Sequence, residues 1–313
     1  MFSLNAIAPI FVLVVVGAVL KKIKFADDSF FSVCDKLCFK ICLPCLLFLD
    51  IAEASFSDIN PNLMLFCGAF VLFMFISSGF LVPLFLKNNG DRGAFIQGVC
   101  RSNAAILGVT VAENLFGKAG SGATAAVLPV VIALYNISTV IVLSIFAPKE
   151  KKLTGKGFLG SVMKNIAKNP LILAVLAGLL WNVSGIGMPL SIGRSLDYLG
   201  NMSAPLALLS MGAGFSFKAF RADSGKVVVA SCVKTIIFPA LAVTGAVLLG
   251  FTGVSLGVVL VIFGSPTAVA SFVMAKQMDS NYSMARDIIL LTTLMSAFTM
   301  FLEVFVLRSF GLI

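Results

Sequence analysis

Apolar residues run along this chain in long blocks, each closed by a short cluster of charged, Gly, Pro or Asn residues before the next begins. A helix needs roughly 20 mostly apolar residues to cross a bilayer. Blocks near that length fall at residues 5–21, 34–52, 62–86, 94–116, 122–147, 169–184, 194–215, 225–250, 254–278 and 283–308. Little chain is left between them, so the pattern predicts an all-α polytopic membrane protein of ten transmembrane helices with no soluble catalytic domain. Met1 to Asn5 carries no Lys or Arg, and no clean small-residue cleavage site follows the first block. It is expected to stay as a span rather than be removed as a signal peptide.

The blocks repeat. A shift of 161 residues brings Pro9 onto Pro170, Gly17 onto Gly178, Pro44 onto Pro205 and Ser55-Phe56 onto Ser216-Phe217. With two residues inserted, Ser102 meets Ser265 and Asn103 meets Pro266. Proline inside a helix removes a backbone hydrogen bond and costs about 3 kcal/mol, so its recurrence at one repeat position is meaningful. Five spans per copy is an odd number, and the second copy must enter the bilayer from the opposite side. The expected organisation is a first repeat at 1–147, a basic linker at 148–168 and a second, inverted repeat at 169–313. Such repeats imply alternating access between two halves.

The helical pattern breaks in the fourth and ninth spans. Phe263-Gly264-Ser265-Pro266-Thr267 predicts a stop at Gly264, an N-cap at Ser265 and a restart with Pro266 in the first position. Its repeat mate, Cys100-Arg101-Ser102-Asn103-Ala104, offers two capping side chains. Two discontinuous, crossing helices are expected, each aiming a helix N-terminus at one cavity. Helix N-termini carry partial positive charge and free N–H groups, which suits an anion, and Arg101 adds a full charge. The candidate substrate-binding residues are Arg101, Ser102, Asn103, Ser265, Pro266 and Thr267, with Asn136, Thr293 and Ser296 beside the crossing. The plainer alternatives are a simple proline kink, hydroxyls spent on helix-to-helix bonds, and Arg101 and Lys234 reaching back to the surface.

Composition sharpens the picture. The chain is 59% hydrophobic and 12% charged, with mean hydropathy +1.06, against about 25% charged in soluble domains. Its net charge of +9 does not imply nucleic acid, because the basic residues are scattered over loops between spans. Lys21, Lys22, Lys24, Lys87, Arg92, six lysines from Lys149 to Lys168, Lys218, Arg221 and Lys226 all fall on one side. The opposite loops hold little beyond Lys118 and Arg308. The positive-inside rule then puts both termini outside and the 148–168 loop in the cytoplasm. Lys276, Glu113, Asp50, Glu53 and Glu303 are expected near span ends.

Cys34, Cys38, Cys42 and Cys45 follow helical spacing and are read as packing residues, not as a redox or metal site. The chain has no His, and neither an H-E-x-x-H motif nor a pair of mid-span acids is present. Metal or acid–base catalysis has no agents, and no cofactor is expected.

Arg101-Ser102-Asn103-Ala104-Ala105-Ile106-Leu107-Gly108, Lys168-Asn169-Pro170-Leu171-Ile172, Ser203-Ala204-Pro205-Leu206-Ala207-Leu208 and Ser265-Pro266-Thr267-Ala268 resemble the auxin efflux carrier family, prokaryotic branch, over essentially the whole chain. The resemblance implies two inverted five-helix repeats, crossing broken helices 4 and 9, a scaffold side that often forms homodimers, and carboxylate substrates such as auxin, malate or malonate. It also implies a multi-pass protein of the cell membrane, in bacteria the inner membrane. Plant members carry proline in the first crossover and a long cytoplasmic loop. Here Ser102-Asn103 and a short loop take their places, which favours a bacterial organic-anion carrier and allows a softer first kink. A membrane sensor binding the same anions without moving them is the alternative function.

Overall fold

The computed structural model describes residues 2–54, 60–147 and 156–313. Thirteen helices and no strand make up these described residues: α1 (Phe2–Lys22), α2 (28–52), α3 (Pro61–Phe85), α4 (Asn89–Cys100), α5 (104–116), α6 (Lys118–Ile145), α7 (Lys156–Ala167), α8 (Pro170–Ser184), α9 (190–213), α10 (217–248), α11 (Gly253–Gly264), α12 (Ala270–Gln277) and α13 (Tyr282–Ser309). The helices α3, α6, α13 and the Asp223–Leu248 stretch of α10 are each long and apolar enough to cross a membrane, while α8 and α11 are shorter apolar helices. The protein is therefore an all-helical, polytopic membrane protein.

Local chemistry sets many of the boundaries. Asp27, Asn60, Asn88, Asn169 and Asn281 each cap a following helix by accepting a backbone N–H, the usual way to satisfy orphan donors. Pro61 and Pro170 stand first in α3 and α8, where the missing N–H costs nothing. Three helices contain a π-turn: Cys38–Cys42 in α2, Ala104–Gly108 at the start of α5 and Val233–Ile237 in α10.

The helices form two packed bodies. In one, α1 lies along α9 and α2 along α8, around a core that includes Val14, Leu47, Ile51, Leu171, Val175 and Met211. Backbones touch there: a Cβ on Gly17 would stand 2.0 Å from the Leu209 carbonyl oxygen, and one on Gly178 would stand 2.9 Å from that of Phe48. The absence of side chains allows this approach. In the other body α3 packs on α6 and α10 on α13, around Val71, Met74, Val131, Leu256, Phe263 and Ile288. Through its middle run the interrupted pair α4–α5 and α11, with α5 against α11, while α12 lies between the two bodies, against α4 on one side and α2 and α9 on the other, with Phe272, Val273 and Met274 in the first core.

Part of the expected basic linker, residues 148–155, lies outside the described residues, as do Ser55 and Phe56 of the repeat alignment. The rest of the linker is not a plain loop, because Lys156–Ala167 is helical.

Candidate functional site

Both interruptions exist, and they are held differently. Ser265 is extended, at φ −61 and ψ 145, as expected for a residue before proline. The restart differs from the sequence expectation: α12 begins at Ala270, not at Pro266, and no side chain caps it. Ser265 instead donates its hydroxyl to the Val261 carbonyl of its own helix. Thr267 donates its hydroxyl to the Gly98 carbonyl at 2.6 Å, and its N–H donates to Thr292 Oγ1.

The first interruption has no proline, yet it is a full break and not a softened kink. Arg101 is extended, with ψ 139, and Asn103 has ψ 48 and makes no capping bond. Tertiary bonds hold it open. The Asn103 N–H donates to the Pro266 carbonyl at 2.8 Å, joining one break directly to the other. Lys234, fully buried in α10, donates to Ser102 Oγ and to the Phe263 carbonyl at the end of α11. Tyr135 also donates to Ser102 Oγ, at 3.4 Å.

A cavity of about 120 Å³ lies between the two restarts, well above the ~10–15 Å³ that one water needs. Arg101, Ser102, Asn103 and Ala105 line it from the first break, Ala268, Val269 and Ala270 from the second, Asn136 from α6, and Asp50 and Ser203 from α2 and α9. Leu43, Leu46, Leu47, Ile132 and Val273 supply apolar wall. The Arg101 guanidinium is 5% exposed and donates to Asn136 Oδ1 at 3.2 Å and to Met274 Sδ. It does not reach back to a surface, and neither does Lys234.

The structure thus brings Arg101, Ser102, Asn103 and Asn136 together at one cavity. Ser265, Pro266, Thr267, Thr293 and Ser296 are buried or near it but not among its lining residues. The Thr293 and Ser296 hydroxyls donate to the Ile289 and Thr293 carbonyls of α13. Of the acids expected near span ends, Asp50 stands in the last turn of α2, whereas Glu303 lies deeper. Asp50 lines the cavity, and Glu303 lies beside the second break, where a Cβ on Gly264 would stand 2.9 Å from Glu303 Oε2. Sequence distance from a span end could not place Glu303 beside Gly264, and nothing local linked Lys234 to Ser102.

Leu46 and Asp50 also border an open vestibule of about 650 Å³, with Glu53, Ala126, Pro129, Met188, Arg194 and Asp197. The opposite ends of the helices are clamped by polar contacts. Lys276, in the last turn of α12 and partly exposed, pairs with the fully buried Asp35 of α2, and Ser210 of α9 donates to the same carboxylate at 2.8 Å. Arg286 and Asp287 form a buried pair at the start of α13, with Arg286 also donating to the Gly214 carbonyl. Lys226 pairs with Asp91 and Asp223, and Asn281 donates to Asp91.

Comparison with known proteins agrees with this architecture. Residues 2–303 match the family model described as membrane transport protein. The chain is 22% identical over 300 residues to an uncharacterized transporter of Methanothermobacter thermautotrophicus, covering 95% of each chain. It is 26% identical to an uncharacterized transporter of Methanocaldococcus jannaschii, covering 95% of this chain and 96% of that one. A Rhizobium meliloti protein named "Putative malonate transporter" is 25% identical over 282 residues, 86% of this chain and 84% of that protein. The chain belongs to the membrane transport protein family, the auxin efflux carrier family that its motifs resemble, and is a multi-pass membrane transporter, not an enzyme.

Proposed function

We propose that the protein is a secondary carrier of small organic anions, mono- or dicarboxylates, that works by alternating access. The observation that carries this reading is the cavity between the starts of α5 and α12, with Arg101 and Asn103 in its wall. Two helix starts and a guanidinium make a field that favours a carboxylate. The relative named for malonate is consistent with such a ligand.

Two inverted five-helix repeats supply the moving parts in this reading, with α4–α5 and α11–α12 each counted as one broken span of ten. Reciprocal packing supports it. Gly17 meets Leu209 and Gly178 meets Phe48, and the shift of 161 that carries Gly17 to Gly178 also carries Phe48 to Leu209. The vestibule at one end and the polar clamps at the other suit one state of a carrier that opens to each side in turn. In this reading the vestibule and both termini face outside, which the distribution of basic residues supports.

The test is uptake of labelled mono- and dicarboxylates into liposomes containing the purified protein. Saturable uptake is expected, with Arg101→Ala reducing it at least about tenfold through loss of a buried charged partner. Binding of the same anions with no flux would overturn the carrier in favour of a sensor.

A further inference from the structure

The cavity and its approach carry opposite charges at their two ends. At the floor is Arg101, whose buried Nε has no hydrogen-bond partner. At the mouth is Asp50, which lines both the cavity and the vestibule and makes no hydrogen bond or ion pair among the described residues. Asp50 and Arg101 are the charged residues in the cavity lining, and the wall between them is mostly Leu, Ile, Val and Ala. The vestibule continues the sign of the mouth: Asp50, Glu53 and Asp197 face a single Arg194.

A ligand whose carboxylate meets Arg101 and Asn103 therefore places its other end near Asp50. A second carboxylate there would face a like charge in a partly desolvated site, a costly arrangement. A hydroxyl or ammonium at that end could instead donate to the free carboxylate oxygens, a charge-assisted bond. The acidic vestibule adds to the bias, since it repels a dianion on approach more than a zwitterion or a monoanion.

Building on the carrier reading, we propose that this cavity selects small acids with one carboxylate and a hydrogen-bond donor at the far end, hydroxy acids or amino acids, over dicarboxylate dianions. Asp50 is the specificity-determining residue. The small volume sets the length to a few carbon atoms.

Four ligands of similar length and different far ends test this on the purified protein: malonate, 3-hydroxypropanoate, β-alanine and propanoate, with affinity measured by titration calorimetry. 3-Hydroxypropanoate or β-alanine is expected to bind at least about tenfold more tightly than malonate. Asp50→Asn should shrink that ratio to about threefold or less, and Asp50→Glu should preserve it, which a merely structural role for Asp50 would not do. Malonate binding as tightly as, or more tightly than, both donor ligands to the unaltered protein overturns the inference while leaving the carrier reading in place. No binding by any of the four overturns both. The comparison on the unaltered protein stands even if a variant fails to fold.

Discussion

The two helix breaks occupy matching places in the chain and are built in opposite ways. At the second, Gly264-Ser265-Pro266 interrupts the helix by local chemistry, and the polar side chains turn away from the cavity. Ser265 bonds its own helix, Thr267 bonds Gly98, and the cavity receives Ala268, Val269 and Ala270. At the first, nothing local forces Arg101 out of the helix, and Lys234, Tyr135 and the Pro266 carbonyl hold the break from outside. This break gives the cavity its side-chain chemistry in Arg101, Ser102 and Asn103. One break thus contributes shape and a helix start, the other recognition. A proline makes a break autonomous, whereas a break without one depends on the body around it.

That difference can be attacked from either side. The largest effect is expected from Lys234→Met, which deletes two bonds from a buried side-chain nitrogen and leaves the Phe263 carbonyl without that donor. Each such bond is worth about 0.5–1.5 kcal/mol, and a buried carbonyl left unpaired costs about 1–3 kcal/mol more, so thermal unfolding in detergent should move down by an amount matching roughly 3 kcal/mol. An unchanged melting temperature would mean that the first break stands without its tie.

Asn103→Leu comes next. The Asn103 side chain caps nothing and lines the cavity, so its loss should weaken carboxylate binding by about 1–3 kcal/mol while stability stays near normal. Unchanged affinity would take recognition away from the first break. The smallest effect is expected from Ser265→Ala, which removes one hydroxyl bond within α11. Stability should fall by no more than about 1 kcal/mol, with carboxylate affinity unaltered. A large loss of affinity would show that the second break recognises substrate through its side chains after all.

Much of the helical fold could be read from the chain because a bilayer demands long apolar runs, and caps such as Asn60, Asn88 and Asn169 mark their starts. The second break was visible for the same kind of reason, since Gly, Ser and Pro act on their own backbone. Its helix restarts four residues later than the sequence suggests, because Pro266 permits a first turn but the bonds of Thr267 to Gly98 and Thr292 keep the chain out of the helix until Val269 turns into α12. Depth was harder. Asp50 does stand at the end of α2, on the vestibule, but its place in the cavity wall could not be read from the chain, and Glu303 packs beside Gly264 instead of at a surface. The contact of Lys234 with Ser102 spans 132 residues, and no local pattern encodes it.

In the carrier proposed above, the carboxylate of the substrate is held between the two breaks, with its side-chain contacts on the first. The most direct measurement is a structure of the protein with a brominated short carboxylate, the bromine located by its anomalous scattering. The carboxylate is expected within hydrogen-bond distance of Arg101 or Asn103, between the starts of α5 and α12. A ligand seated only in the vestibule, or anywhere away from both breaks, would contradict it and leave the crossing as a structural joint.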